Sequence, residues 1–140
     1  MEHPQAGATE RHFADGWAAL SRGQYLQAAS AFQTSVRAAP SGPIAEDALY
    51  WQGVALARAG QRSESISILS DFVRVHRSSP RCGEASSILG WQLLQAGRAE
   101  EAEPHLRRAL LDPRREIRET AQAGLAALAQ APGSLDGGAR

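Results

Sequence analysis

The side chains best suited to chemistry do not assemble into any recognisable set. His3, His12, His76 and His105 show no HExxH and no other paired ligand spacing, so they read as solvated surface histidines. Cys82 is the single cysteine, which excludes an internal disulfide and any multi-cysteine metal site. It lies near a helix start, where a reactive thiol could sit, but it reads as a passive thiol. Glu100, Glu101 and Glu103 open a helix, where carboxylates suit the helix dipole. The densest basic cluster is Arg107, Arg108, Arg114, Arg115 and Arg118. Glu116 and Glu119 interrupt it, and no aromatics interleave it as a single-strand nucleic-acid surface requires. It reads as a solvated helix face. There is no phosphate loop, nucleophile elbow or carboxylate pair. The expectation is a non-enzyme with no cofactor, no metal and no small-molecule substrate.

The elements that position these residues are written in the glycines. Gly23, Gly60 and Gly97 are spaced by 37 residues, and Gly16, Gly53 and Gly90 run seven ahead with the same spacing. Gly124 continues this second series after 34 residues. The segments between them carry helical apolar stripes. Phe13, Trp17 and Leu20 mark the first, and Tyr25, Ala28, Ala29, Phe32 and Val36 the second. The same alternation recurs through Ile66, Leu69 and Val73, and again through Ala102, Leu106 and Leu110. The first glycine of each pair sits in mid-helix, at about 1 kcal/mol against alanine, which implies a packing return. The second sits where one helix must end in a left-handed residue and the chain reverse. Ser79-Pro80 and Asp112-Pro113 read as N-caps followed by proline at the first helical position. Pro104 falls inside a helix and should remove a hydrogen bond and kink it.

Composition agrees. At 140 residues the chain can bury a shared core, 43% of it is hydrophobic, and alanine supplies much of that. Fifteen basic residues, all arginine, balance fifteen acidic ones, so no global field draws nucleic acid or an anionic membrane. No apolar run reaches the about eighteen residues of a membrane span, and residues 1–9 lack a signal-peptide core. The chain is therefore expected in the cytoplasm, or in the periplasm if it is a fragment of a longer protein.

This pattern of glycines and helix pairs resembles the tetratricopeptide repeat family. The first repeat shows Gly16, Gly23, Tyr25, Ala28, Phe32 and Pro40 in the family's places, and the third shows Gly90, Gly97, Ala102, Leu106 and Ala109. The middle one is degenerate, with Ser65 and Phe72 where small apolar residues are usual. The 37-residue period is also similar to bacterial repeats in periplasmic Tol-Pal-associated coordinators. The resemblance implies an all-α, right-handed α-solenoid of three helix pairs, at about 9–42, 46–79 and 83–112. A capping helix follows at 113–131, all forming one domain over 9–131, with disordered ends at 1–8 and 132–140. Ile117, Ala121, Leu125 and Leu128 would face inward on the cap.

The resemblance also implies a concave groove lined by the fifth and ninth positions of each first helix. Here the fifth are Phe13, Tyr50, Ser87 and Ala121, and the ninth are Trp17, Val54, Trp91 and Leu125. The expected partner-binding set is Phe13, Trp17, Tyr50, Val54, Trp91 and Leu125, taking an apolar peptide or helix of another protein. Trp51 is expected to pack between repeats. The lysine-based clamp that holds terminal carboxylates in some relatives is absent, because the chain has no lysine. The alternative is a self-associating scaffold whose aromatic surface forms a homodimer interface.

Overall fold

The computed structural model describes the backbone of residues 4–130 and consists, over that range, of seven helices and no strand. These are α1 (Pro4–Ser21), α2 (Tyr25–Ala38), α3 (Ala45–Arg58), α4 (Arg62–Val75), α5 (Cys82–Gln95), α6 (Ala99–Ala109) and α7 (Arg115–Gln130). They group into two compact units, one ending at Phe72 and one beginning at Val73, with the division inside α4. Residues 4–8, expected to be disordered, lie instead in the first turns of α1. The expected disordered tail at 132–140, and residues 1–3, lie outside the described residues.

Each helix pair turns by the same device. Gly23, Gly60 and Gly97 have φ of 75, 79 and 78°, which a side-chain-bearing residue adopts only at a cost. The residue after each glycine closes the helix end: Gln24 N–H donates to the Ala19 carbonyl, Gln61 to Leu56, and Arg98 to Leu93, all at 2.9 Å. This is the 6→1 bond of a Schellman ending. The carbonyls of the same three residues then accept from Ala28, Ser65 and Ala102, so the next helix starts at once.

The in-helix glycines explain the pairing. A Cβ on Gly16 would lie 2.6 Å from the Phe32 ring, on Gly53 2.5 Å from Leu69 Cδ2, and on Gly90 2.6 Å from Leu106 Cδ2. In all three the partner lies sixteen residues on, and it is fully buried. The glycine is a hole filled by one large side chain of the second helix, rather than a point of backbone contact. Each such side chain contributes about 1.5–3 kcal/mol by leaving water.

In the first unit, α1, α2 and α3 share a core of Ala19, Leu20, Ala28, Ala29, Phe32, Ala48, Ala55 and Leu56. The degenerate middle repeat is repaired locally, because the Ser65 hydroxyl donates to the Gly53 carbonyl at 3.0 Å. Ser35, likewise buried, donates to the Thr9 carbonyl at 2.8 Å and so ties α2 to α1. In the second unit α7 lies against both α5 and α6. It buries a single stripe, Ile117, Ala121, Gly124 and Leu128, and its other faces are largely exposed. Leu125, expected inward, is only partly buried. α6 runs unbroken through the exposed Pro104, whose missing bond falls to the carbonyl of Glu100 in the exposed first turn.

The two serine- and aspartate-proline pairs act before the helices, not at their first turn. α5 begins at Cys82 and α7 at Arg115. Ser79 Oγ accepts the Arg81 N–H at 3.1 Å and Asp112 Oδ1 the Arg114 N–H at 2.8 Å. Each expected cap thus closes a turn spanning the proline, and the helix begins three residues after it.

Candidate functional site

The aromatic residues of the first unit form a connected chain. Phe32, seated on Gly16, meets Phe13 edge-on at 5.5 Å and Trp17 at 6.5 Å, and Phe13 meets Trp17 at 6.4 Å. Trp17 lies against Trp51 with ring centroids 4.6 Å apart and planes at 59°. Trp51 continues to Tyr50 at 5.0 Å, and Tyr50 to Phe72 at 5.7 Å. Such edge and tilted contacts add about 0.5–1.5 kcal/mol each beyond area burial. Both ends of this chain, Phe32 and Phe72, are fully buried, and it reaches solvent between them, at Trp17.

The six expected surface positions divide accordingly. Trp17 is 38% exposed, the most open aromatic among the described residues. Phe13 is half-buried beside it. Tyr50 and Val54 are 1% and 5% exposed, so both are core residues and present no surface to a partner. Phe72, the large ring where small residues are usual, covers Tyr50 from α4. Trp91 and Leu125 belong to the second unit and are half-buried. The Trp91 indole N–H donates to the Thr120 carbonyl of α7 at 3.0 Å, and the ring abuts Gly124, where a Cβ would come within 3.2 Å of its nitrogen. Trp91 therefore pins the last helix.

Trp51 was outside the expected surface set because it occupies neither the fifth nor the ninth position. It does pack between the first and second repeats, half-buried against the first unit's core, and it also backs Trp17. Of the linked rings, Phe13, Trp17 and Trp51 thus keep part of their surface exposed. Exposed small residues, Ala14, Ala18 and Ser21, flank Trp17 along α1.

The basic cluster is absorbed into structure. Arg107 pairs with Glu103 at 2.7 Å and Arg115 with Glu119 at 3.2 Å. Arg118 donates to the carbonyls of Asp112 and Pro113. Arg114 grips Asp112 through Nε and Nη2, both at 2.9 Å, and reaches the Pro80 carbonyl at 3.0 Å. These bonds from Arg114 hold the Asp112 carboxyl below its usual range against the opposing effect of burial. Burial first, then the charge of Arg108, lowers the His105 pKa. Cys82 is buried and its thiol donates to the His76 carbonyl at 2.8 Å. Among the described residues no three histidine, cysteine or acidic side chains could hold a metal ion, and no helix is long and apolar enough to cross a membrane.

Known proteins place this arrangement. The tetratricopeptide repeat family model matches residues 13–69 and 55–116, which together span more than half of the chain. No curated protein sequence matches it. Among solved structures it is similar to the TPR domain of Arabidopsis OM64, at TM-score 0.75 and 15% identity, covering 90% of this chain and 98% of that one. It is similar to the first TPR of Spaghetti (RPAP3) bound to the HSP90 peptide SRMEEVD, at TM-score 0.73 and 19% identity, covering 89% and 95%. It is also similar to the Yersinia enterocolitica type III secretion chaperone SycD in complex with a peptide of the translocator YopD, at TM-score 0.71 and 21% identity, covering 86% and 91%. At these identities the likeness is one of fold. With the glycine register, the Schellman turns and the family match in agreement, the chain belongs to the tetratricopeptide repeat family.

Proposed function

We propose that this protein is a non-catalytic interaction module that holds an apolar segment of another protein against Trp17, Trp51 and Phe13. The observation that carries this is Trp17 itself: a large ring, more than a third exposed, yet fixed by three aromatic neighbours. A rigid exposed tryptophan loses little entropy on contact, which is the physical profile of a binding hot spot. The similar RPAP3 and SycD domains each hold a peptide, which supports a protein partner for this fold. A lysine clamp for a terminal carboxylate cannot be built here, because the chain has no lysine.

The test is affinity capture from the native host with the wild-type chain and with Trp17→Ala, each followed by mass spectrometry and a thermal melt. The expected result is a partner retained by the wild type and lost by the variant, with about 2 kcal/mol or more of binding removed. Equal capture by both chains, or a variant that no longer folds, contradicts the proposal.

A further inference from the structure

We propose a second interaction surface, in the second unit, that takes a short acidic segment of a partner protein with an aliphatic side chain beside its carboxylate. It lies where the loop before α5 meets the loop before α7. Arg77, Arg108, Leu111, Pro80 and Pro113 line a cavity of about 280 Å³ there. Leu111 is 83% exposed, the most open large hydrophobic side chain among the described residues. The positions 37 and 74 residues earlier carry Arg74 and Arg37, both exposed. The third repeat has therefore replaced a solvated arginine by a solvated leucine, and folding alone does not require that exchange.

The loops around it are held rather than loose. Arg114 ties Asp112 to the Pro80 carbonyl, and Arg108 Nη2 donates to the Arg77 carbonyl at 3.1 Å. Gly83 has no positive φ, yet a Cβ on it would collide with the Asp112 carboxylate. This helical glycine is explained by the close seat it gives to that group. A surface already ordered before binding loses less freedom on contact.

Charge selects the occupant. The acidic groups at the site are Asp112 and Glu84, and both are engaged by Arg114, at 2.9 and 3.6 Å. Arg108 spends one guanidinium N–H on the Arg77 carbonyl, while Arg77 lines the cavity and Arg118 lies on the Asp112 and Pro113 carbonyls, so both add positive charge around the same loops. A carboxylate entering the cavity meets guanidinium groups and can be held in the two-bond geometry they favour. An adjoining aliphatic side chain then covers Leu111 between the two prolines. This surface is separate from the aromatic one and stands or falls without it.

The test is NMR titration of the isotope-labelled full chain with an end-blocked Glu-Leu-Glu-Leu-Glu peptide. A Lys-Leu-Lys-Leu-Lys peptide and a six-nucleotide single-stranded DNA serve as competitors for the assignment. Saturable amide shifts confined to residues 77–83 and 108–112 are expected for the acidic peptide, weakening as salt rises. Leu111→Ser removes the aliphatic contact and leaves the charge of the surface unchanged; it should weaken binding tenfold or more. Arg77→Gln should weaken it similarly with an otherwise unchanged spectrum. The proposal is overturned by any of four results: no saturable shift at millimolar peptide, equal binding of the basic peptide, tighter binding of the DNA, or unchanged affinity in Leu111→Ser. A dimer in sedimentation that Leu111→Ser abolishes would assign the surface to a second copy and overturn it as well.

Discussion

Replacing Gly53 by alanine should destabilise the first unit, although the same change in an open helix stabilises by about 1 kcal/mol. The added Cβ would stand 2.5 Å from Leu69 Cδ2, 2.7 Å from its Cγ and 3.4 Å from Ile68 Cγ2. Carbon contacts settle near about 3.5–4.0 Å, so the two helices must separate by roughly 1 Å or Leu69 must leave its rotamer. Leu69 is fully buried and the clash reaches its branch point, so a turn of the terminal methyl does not relieve it. Overpacking of this kind costs about 1–3 kcal/mol; the net expectation is a loss of about 1 kcal/mol. Urea denaturation measures it, and a double-mutant cycle identifies the cause. In a Leu69→Ala background the obstruction is gone, so Gly53→Ala should turn stabilising by about 1 kcal/mol. The background itself loses about 2–5 kcal/mol, and a stabilising osmolyte keeps it folded for the measurement. The same sign in both backgrounds would refute the hole-and-filler account of the repeat. Gly60→Ala is the control: no atom lies within 4 Å of its Cβ, so its cost of about 1–2 kcal/mol comes from φ alone and is independent of residue 69.

Other outcomes follow from the second unit. Asp112 is 7% exposed and its carboxyl is held below the ordinary range by Arg114. A depressed carboxyl contributes stability that is present above its unfolded pKa of about 3.9 and lost as pH falls through the folded value. Melting followed from pH 7 to pH 2 should therefore fall more steeply for the wild type than for Asp112→Asn, and parallel curves would contradict the assignment. Ser86 and Ser87 bury hydroxyls with no hydrogen-bond partner in the structure, so Ser86→Ala or Ser87→Ala should raise the melting temperature, worth about 1 kcal/mol each. A fall of that size would mean that an ordered water satisfies them. Deleting residues 113–140 should cause aggregation, since α7 covers Leu106 and Trp91; a truncated chain as soluble and heat-stable as the whole would show that α7 is no cap.

The fold was legible because its two glycine series have separate causes that leave the same 37-residue trace. Left-handed turns need Gly23, Gly60 and Gly97, and buried knobs need Gly16, Gly53 and Gly90. The surface was legible only in part. Position within a helix says which way a side chain points, not what arrives to cover it. Tyr50 and Val54 share register with Phe13 and Trp17, yet both are buried, and Phe72 from α4 closes over Tyr50. The same residue had marked the middle repeat as degenerate, so the warning was present in the sequence. Trp91 has the register of Trp17 but spends its indole on α7, a pairing that no periodicity within α5 reveals. Trp51 falls outside the register and joins the surface through its contact with Trp17.

The chain's three tryptophans provide the most direct measurement of the central claim. Their three indole N–H resonances fall in an otherwise sparse region of the nitrogen–proton spectrum and can be assigned by single replacements. On titration with the captured partner, the account predicts that the Trp17 resonance shifts most, Trp51 moves with it, and Trp91 stays in place on its bond to Thr120. A partner that moves Trp91 and leaves Trp17 and Trp51 unshifted would contradict the account.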